Sequence, residues 1–244
     1  MHLTPDDITV FEWNGLRLNA TIAFTWLVMA IIVVISRIIT LRLTDSERPS
    51  RWQNMLEVLV SGVADQIRQI SQQKPDRFLA FIGTLFLFIL VSNVLAVVPG
   101  FQPPTASVST TTALALCVLF AVPIYGIAER GLGGYLRTYL QPTILMLPFN
   151  IIGELSRTVA LAVRLYGNVM SGTILAALLI SIVPFFFPVL MQLLGLLTGI
   201  IQAYIFAVLA MVYIAAAARS HEDKDSDGSA GGSDNNKIME QQHG

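Results

Sequence analysis

Charged side chains are scarce in this sequence. Asp, Glu, Lys and Arg make up 13% of its 244 residues, whereas 54% are hydrophobic and the mean hydropathy is +0.66. A soluble domain usually carries about 25% charged residues. The composition therefore excludes an ordinary water-soluble protein and predicts an integral membrane protein.

Cysteine and histidine are also rare. The one cysteine, Cys117, excludes an intrachain disulfide, and its place in an apolar run predicts a small buried side chain. The three histidines lie in polar terminal segments at spacings unlike those of zinc ligands. Neither a metal site nor a cofactor is expected.

Patterns that would point to other functions are missing. No GxxxxGK(S/T) phosphate-binding loop occurs, so the chain itself is not expected to bind a nucleotide. The net charge is −1 and no basic stripe with interleaved aromatic residues occurs, which excludes a nucleic-acid partner. The N-terminus lacks the pattern of a removable signal peptide, so the first apolar segment is expected to be retained.

Long apolar runs recur along the chain. Each is long enough to cross the roughly 30 Å hydrocarbon core as a helix, whereas barrel strands would alternate over about 10 residues. The predicted fold class is an all-α integral membrane protein with about five membrane helices and one interfacial amphipathic helix. Its predicted segments are an outside N-terminal segment (1–20), a first membrane helix (21–43), an amphipathic helix on the cytoplasmic surface (51–74), the second and third membrane helices (78–128), an inclined hairpin (142–218) and a disordered cytoplasmic tail (219–244).

Basic residues indicate the orientation. They crowd the far end of the first membrane helix, at Arg37, Arg42, Arg48 and Arg51. Loops rich in Lys and Arg stay on the cytoplasmic side. We therefore expect the N-terminus outside and, after three crossings and a hairpin, the C-terminus in the cytoplasm.

The segment 51–74 has an amphipathic pattern. Apolar residues such as Val63, Ile67 and Ile70 recur every three or four positions, while Glu57 and Arg68 lie on other faces. The expected role is that of an interfacial connector with no chemistry of its own. The alternative is a docking surface for another subunit.

The last apolar region is too long for one simple crossing. A single helix from Ile144 to Ile182 would extend about 58 Å, nearly twice the hydrocarbon thickness. Val183-Pro184 and Pro188 mark a turn, and a second long arm follows from Val189 to Ala218. The region predicts a hairpin of two long, strongly inclined helices.

An arginine lies in the middle of the first arm. An arginine near the centre of a membrane helix costs on the order of 2.5–3.5 kcal/mol, and such residues usually face a bundle interior, a watery cavity or an ion path. Arg164 shares one helix face with the small or polar residues Ala160, Gly167, Asn168 and Ser171. Because no carboxylate lies three or four positions away, Arg164 needs a partner from elsewhere or a water-filled cleft. The alternative is that it reaches the interface along its own flexible stem.

Two further polar residues accompany Arg164. Glu154 is the only acidic residue between positions 130 and 219, and its spacing from Arg157 permits a local ion pair. Gln202 is a polar exception on the second arm. It is either an ordinary interhelical hydrogen-bond partner or a neighbour of Arg164 across the hairpin.

The residues around Arg164 carry a family resemblance. The run Arg164-Leu-Tyr-Gly-Asn168 and the run Ile201-Gln-Ala-Tyr-Ile-Phe206, together with Asn93 and Pro99, resemble subunit a of the rotary F-type ATP synthases. That subunit is the membrane stator beside the ring of c subunits. The resemblance extends to the branch called N-ATPases, which includes members that move sodium.

The resemblance implies a role for each of these residues. Arg164 would face the essential carboxylates of the c ring, help to release the ion there and separate two offset aqueous half-channels. Asn168 and Gln202 would lie beside it, and Glu154 is a candidate for the ion path. The implied partners are the c ring, the b subunits of the peripheral stalk, the other subunits of the complex and membrane lipid. The implied location is the bacterial plasma membrane, in a subunit that performs no ATP chemistry.

The sequence departs from the common family pattern at three positions. Thr158 replaces a frequent proline, Thr173 a carboxylate, and Gly195 a histidine or acid. The polar relay of the outer half-channel is therefore thin, and water, Glu154 or Ser/Thr groups are the candidates to replace it. Sodium in place of protons is one alternative function. A secondary transporter would predict an internal repeat, which we do not find, and a purely structural scaffold would not need Arg164.

Overall fold

The computed structural model describes residues 9–13, 16–41, 51–71, 76–98, 100–140, 145–182 and 187–219. Its strands and α-helices are β1 (Thr9–Trp13), β2 (Leu16–Asn19), α1 (Ala20–Leu41), α2 (Arg51–Ser71), α3 (Asp76–Leu95), α4 (Val108–Leu140), α5 (Met146–Ile182) and α6 (Phe187–Arg219). One turn of 3-10 helix, Pro104–Ala106, precedes α4. The predicted tail lies outside these residues except for Arg219, as do Pro99 and the predicted turn at Val183-Pro184.

Five of the helices are long and apolar enough to cross a membrane, within the residues that the structure describes. Their spans are Ala20–Ile38, Phe78–Leu95, Val108–Ala128, Leu147–Leu179 and Val189–Ala217. Helices satisfy every internal backbone polar group within the segment, which a lipid environment requires. The all-α membrane class is confirmed, and the protein is a multi-pass membrane protein.

A short β-hairpin precedes the helices, which the sequence analysis did not predict. β1 and β2 pair antiparallel, with Trp13 opposite Leu16 and Glu12 opposite Arg17. The signal was present in the sequence, since Asn14-Gly15 separates the two runs and this dipeptide is the strongest short-range indicator of a hairpin.

Helix α6 is the centre of the bundle. It contacts α2, α3, α4 and α5, and its most extensive partner is α3. The buried positions of α6 recur every three or four residues, as expected for one continuous helix stripe. The hydrophobic residues among them are Ala203, Phe206, Ala207, Ala210, Met211, Ile214 and Ala215. The many small residues in this stripe let neighbouring helices approach α6 closely.

Helix α2 presents two different faces. Ile67 is only 1% exposed and packs in the core, with Val63 and Ile70 partly buried beside it. Arg68 and Asp65 are exposed and form an ion pair of 3.7 Å. An exposed pair of this kind contributes little to stability. The apolar face of α2 contacts α3 and α6, and its position at the membrane surface stays a prediction.

Helix α4 continues beyond the predicted end of the third span at Ala128. It reaches Leu140 through a kink at Gly131, whose φ of 72° and ψ of 166° are not helical. A positive φ of this size favours glycine. Past the kink Tyr135 packs against Gly126, where an added Cβ would lie 2.6 Å from the tyrosine ring. The glycine cluster of Gly131, Gly133 and Gly134 is therefore a bend within a helix and does not end it.

Cys117 is exposed on α4, so the prediction of a buried side chain is wrong. The buried stripe of this helix contains Ala115, Val118, Ala121 and Val122. Cys117 lies beside that stripe, on a surface that faces away from the other helices. Apolar residues on such a surface are in their ordinary environment when lipid surrounds the helix.

Candidate functional site

Arg164 lies on the outer surface of the bundle, in the uninterrupted helix α5. Its neighbours Leu161 and Leu165 are 2% and 0% exposed and pack towards the core. Arg164 itself is exposed, as are Ala160 and Ser171 on the same face. Ala160, Arg164 and Ser171 therefore lie on the exposed side of α5, while Gly167 and Asn168 of the same face are partly buried.

The described part of the chain gives Arg164 no partner. No carboxylate lies within 4.0 Å of its guanidinium group, and no hydrogen bond to it occurs among the described residues. A guanidinium in a membrane needs an opposite charge or water. Among the described helices, therefore, no side chain supplies an opposite charge to Arg164.

Asn168 fixes the register between α5 and α6. Its Nδ2 donates a hydrogen bond of 3.4 Å to the carbonyl oxygen of Thr198, a length beyond the usual range. Consecutive helices joined by a short connection run antiparallel. Arg164 lies one turn before Asn168 on α5, and Gln202 lies one turn after Thr198 on α6. In this antiparallel pair Arg164 and Gln202 are therefore at the same level.

Gln202 faces the bundle rather than the exposed side. It is 6% exposed, and its Nε2 has no hydrogen-bond partner among the described residues. A buried donor without a partner costs about 1–3 kcal/mol. Gln202 is thus at the level of Arg164, but no contact between the two side chains is present.

A cavity of about 440 Å³ lies between α4, α5 and α6. Glu154, Arg157 and Thr158 of α5 line it on one side, and Tyr213 of α6 lies opposite. Tyr135 also lines it, because the bend at Gly131 returns that part of α4 to the bundle. Glu154 is ten residues from Arg164, which corresponds to about 15 Å along the helix.

Contacts within this cavity hold its polar groups in place. The Arg157 guanidinium carbon lies 5.5 Å from the centre of the Tyr213 ring, which is the geometry of a cation–π interaction. The Thr158 hydroxyl donates a 3.0 Å hydrogen bond to the carbonyl oxygen of Glu154. The Glu154 side chain lies at the lining of the cavity and is partly exposed.

A second polar group is buried between α3, the 3-10 turn and α4. Asn93 is 5% exposed, and Thr105, Ser107 and Thr111 are 0% exposed. The Thr111 hydroxyl donates to the carbonyl oxygen of Ser107 at 3.1 Å. Ser107 stands directly before Val108, the first residue of α4, so this contact lies at the start of that helix.

The remaining part of α5 and α6 offers fewer polar groups. Thr173 is exposed, and its hydroxyl donates at 3.0 Å to the carbonyl oxygen of Val169 in its own helix. Gly195 is exposed, and Gln192 donates to the carbonyl oxygen of Val97 at 2.8 Å. No carboxylate occurs along the described part of α5 beyond Glu154 or along α6.

The ATP synthase A chain family model matches residues 22–215. The chain belongs to this family. Among the curated relatives, "ATP synthase subunit a 2" of Acaryochloris marina is 62% identical over 219 residues, 90% of this chain and 94% of that protein. "ATP synthase subunit a 2" of Picosynechococcus sp. is 56% identical over 93% of this chain and 97% of that protein. "ATP synthase subunit a" of Albidiferax ferrireducens is 52% identical over 93% of this chain and 99% of that protein.

The four residues singled out from the sequence occupy four different settings in the structure. Arg164 is on the exposed face, Gln202 is buried at the same level, Asn168 bridges the two arms, and Glu154 lines the cavity. The structure adds Tyr213, whose ring holds Arg157. That pair was not predicted, because the two residues are 56 positions apart in the printed sequence and no local pattern joins them.

Proposed function

We propose that this chain is the ion-translocating stator subunit of a rotary F-type ATP synthase and that protons are the ion it moves. The observation that carries the proposal is the exposed position of Arg164. A permanent cation in a membrane-crossing helix, on a face of small residues and without a partner in the described helices, suits a surface that meets the carboxylates of a neighbouring ring of c subunits.

Arg164 attracts each carboxylate of the ring without carrying the proton itself. A guanidinium group remains protonated throughout the usable pH range, whereas a lysine can lose its proton when it is desolvated. A carboxylate that faces Arg164 is therefore held as an anion. The same charge repels free cations, and so it separates the inner path from the outer path.

The cavity beside Glu154 is the inner half-channel. Its volume of about 440 Å³ has room for several waters, and its polar groups offer hydrogen bonds to them. A ring carboxylic acid that approaches Arg164 releases its proton into this path, and Glu154 accepts and passes on that proton. Arg157 is held by Tyr213, so it does not compete for the arriving carboxylate.

The outer half-channel lies on the Asn168 side of Arg164. Amide and hydroxyl groups with ordered water supply this path, since no carboxylate lies on the described part of α5 beyond Glu154. A proton that enters here neutralises a carboxylate that has left Arg164. After the ring has turned, the same group releases that proton to the inner side.

The remaining parts of the assignment follow from this role. The N-terminus is outside and the C-terminus is in the cytoplasm of a bacterial cell, with the chain in the plasma membrane. The chain performs no ATP chemistry, which belongs to other subunits. The b subunits of the peripheral stalk hold it against rotation, and the amphipathic α2 lies along the cytoplasmic surface.

The test is ATP-driven pumping by the assembled complex carrying Arg164→Ala. Pumping into inverted membrane vesicles, normalised to the amount of assembled complex, should fall at least about 100-fold, because an uncompensated site loses roughly 3 kcal/mol or more of charge stabilisation. The matched control is Arg37→Ala, since Arg37 is an exposed arginine on α1 and should pump normally. Normal pumping by Arg164→Ala would overturn the proposal.

The transported ion is tested separately. With protons as the ion, the ATPase activity of the complex does not depend on added sodium, and a protonophore collapses the gradient that the complex makes. A sodium-dependent activity with a protonophore-resistant sodium gradient would assign sodium instead.

A further inference from the structure

A buried polar contact joins α3 to α6 one turn away from Gln202. The Nδ2 atom of Asn93 donates a 3.0 Å hydrogen bond to the carbonyl oxygen of Gly199. The Oδ1 atom of Asn93 accepts a 3.2 Å hydrogen bond from the hydroxyl of Thr105. Both ends of the Asn93 amide are therefore bonded in an environment where Asn93 is 5% and Thr105 is 0% exposed. We call these three residues the Asn93 clamp.

The two helices meet at the clamp with almost no space between them. A Cβ added to Gly199 would lie 2.8 Å from the Cβ of Asn93. Real Cβ atoms do not approach this closely, so the third member of the clamp has to be glycine. The position of α6 along α3 is thus fixed by backbone contact as well as by the hydrogen bond.

The same turn of α6 also holds α5. Thr198, which precedes Gly199, accepts the hydrogen bond from Asn168 through its carbonyl oxygen. Gln202 lies on the next turn, with its Nε2 buried and without a partner among the described residues. A shift or rotation of α6 at Gly199 would therefore change where the Gln202 amide lies relative to Arg164.

We propose that Asn93 and Thr105 are positioning residues that act through Gln202. The clamp fixes the position of α6 along α3 and so keeps the Gln202 amide at the level of Arg164. The Nε2 atom of Gln202 has no hydrogen-bond partner among the described residues that could fix the orientation of this amide. Packing alone does not select this orientation, because apolar contacts between α3 and α6 tolerate small rotations, whereas a buried hydrogen bond that loses its geometry leaves unpaired polar groups. This inference rests on the proposed function.

The first part of the test measures pumping. Asn93→Leu, which removes both hydrogen bonds, should lower ATP-driven pumping per assembled complex about tenfold, equivalent to about 1.4 kcal/mol. Thr105→Val should lower it by a smaller factor, and Thr105→Ser, which keeps the donor, should restore it. The matched control is Thr84→Val on α3, the helix that also carries Asn93. The Thr84 hydroxyl is exposed and donates to the carbonyl oxygen of Ala80 in its own helix. Wild-type pumping by Asn93→Leu and Thr105→Val would overturn the inference.

The second part measures the position of residue 202 without using activity. In a Cys117→Ser background, Gln202→Cys should react slowly with a membrane-permeant maleimide while the clamp is intact, since this position is 6% exposed. Adding Asn93→Leu should raise the labelling rate about tenfold. This corresponds to a decrease of about 1.4 kcal/mol in the free energy needed to expose position 202. Met211→Cys is the matched control, because Met211 is 1% exposed on the same helix and should keep its rate.

The two readouts separate the possible failures. If labelling rises equally at positions 202 and 211, or rises at neither, the clamp does not position Gln202 and the inference is wrong. If Asn93→Leu prevents assembly, Thr105→Val takes its place in both measurements with the same expected pattern. If Arg164→Ala pumps normally, the proposed function fails, whereas a selective rise at position 202 would still show that the clamp holds this residue.

Discussion

Helix α5 carries two arginines in opposite situations. Arg157 lies at the cavity, with its guanidinium group over the Tyr213 ring at 5.5 Å and Glu154 at the same lining. Arg164 is seven residues further along, about 10 Å by the helical rise. Both arginines are exposed, but Arg164 has no partner in the described helices. Arg157 is stabilised by an aromatic residue of the same chain. For Arg164, the proposed partner belongs to another subunit.

A single helix can therefore carry one arginine with a structural contact and a second arginine that is free to bind a partner. A cation over an aromatic ring is stabilised without neutralising it, so Arg157 can shape the field of the cavity while it remains in place. Arg164 has no such contact in the described helices, and in the proposed function the carboxylates of the c ring stabilise it in turn. The local sequence already separates the two cases, because Glu154 lies three positions from Arg157 and no carboxylate lies near Arg164.

Lysine substitutions at the two positions should have very different effects. Arg164→Lys should abolish ATP-driven pumping, because a desolvated lysine can become neutral and then no longer holds a carboxylate or blocks the ion. Arg157→Lys should pump within about threefold of the parent, since an ammonium group also binds over an aromatic ring with only about 0.5–1 kcal/mol at stake. Pumping is measured in inverted vesicles at equal amounts of assembled complex.

This comparison has a clear opposite outcome. Equal losses for the two lysine variants would mean that both arginines meet the ring, or that neither does. The distinction between a supported and an unsupported cation would then be incorrect.

Substitutions at Tyr213 should lower pumping less than Arg164→Lys does, because the Tyr213 ring contacts Arg157. Tyr213→Leu removes the aromatic ring and should lower pumping by a factor of about two to five, which corresponds to the roughly 0.5–1 kcal/mol expected of a cation–π pair. Tyr213→Phe keeps the ring and serves as the matched control, with pumping close to that of the parent. If Phe and Leu reduce pumping equally, the hydroxyl group rather than the ring supports the cavity.

The helical fold was predictable because hydropathy and length alone decide which segments can cross a membrane. The bend at Gly131 was not, since a glycine cluster marks a loop and a helix kink equally well until the packing of Tyr135 on Gly126 is known. The exposure of Cys117 was mispredicted for a related reason. In a membrane helix the lipid-facing and core-facing sides are both apolar, so composition does not separate them.

In the candidate site, too, some features were predictable from the sequence and others were not. Arg164 was found from the cost of placing its charge in an apolar run, which is a local property of the sequence. The contacts of Asn93 with Gly199 and of Arg157 with Tyr213 join residues far apart in the chain. No periodicity within one helix reports such pairs. They become visible only when α6 is seen packed between α3 and α5.

The most direct test of the central claim asks whether the Arg164 face meets the ring. Ser171→Cys, exposed on that face, is introduced in a Cys117→Ser background. Because Ser171 lies seven residues, about 10 Å, beyond Arg164, it is combined with a cysteine on the c subunit about 10 Å to the outer side of the ion-binding carboxylate. Disulfides form only when the Cα atoms approach within about 7 Å. We expect an a–c crosslink from position 171 and none from native Cys117, which is exposed on α4. A crosslink from Cys117 and none from position 171 would contradict the account.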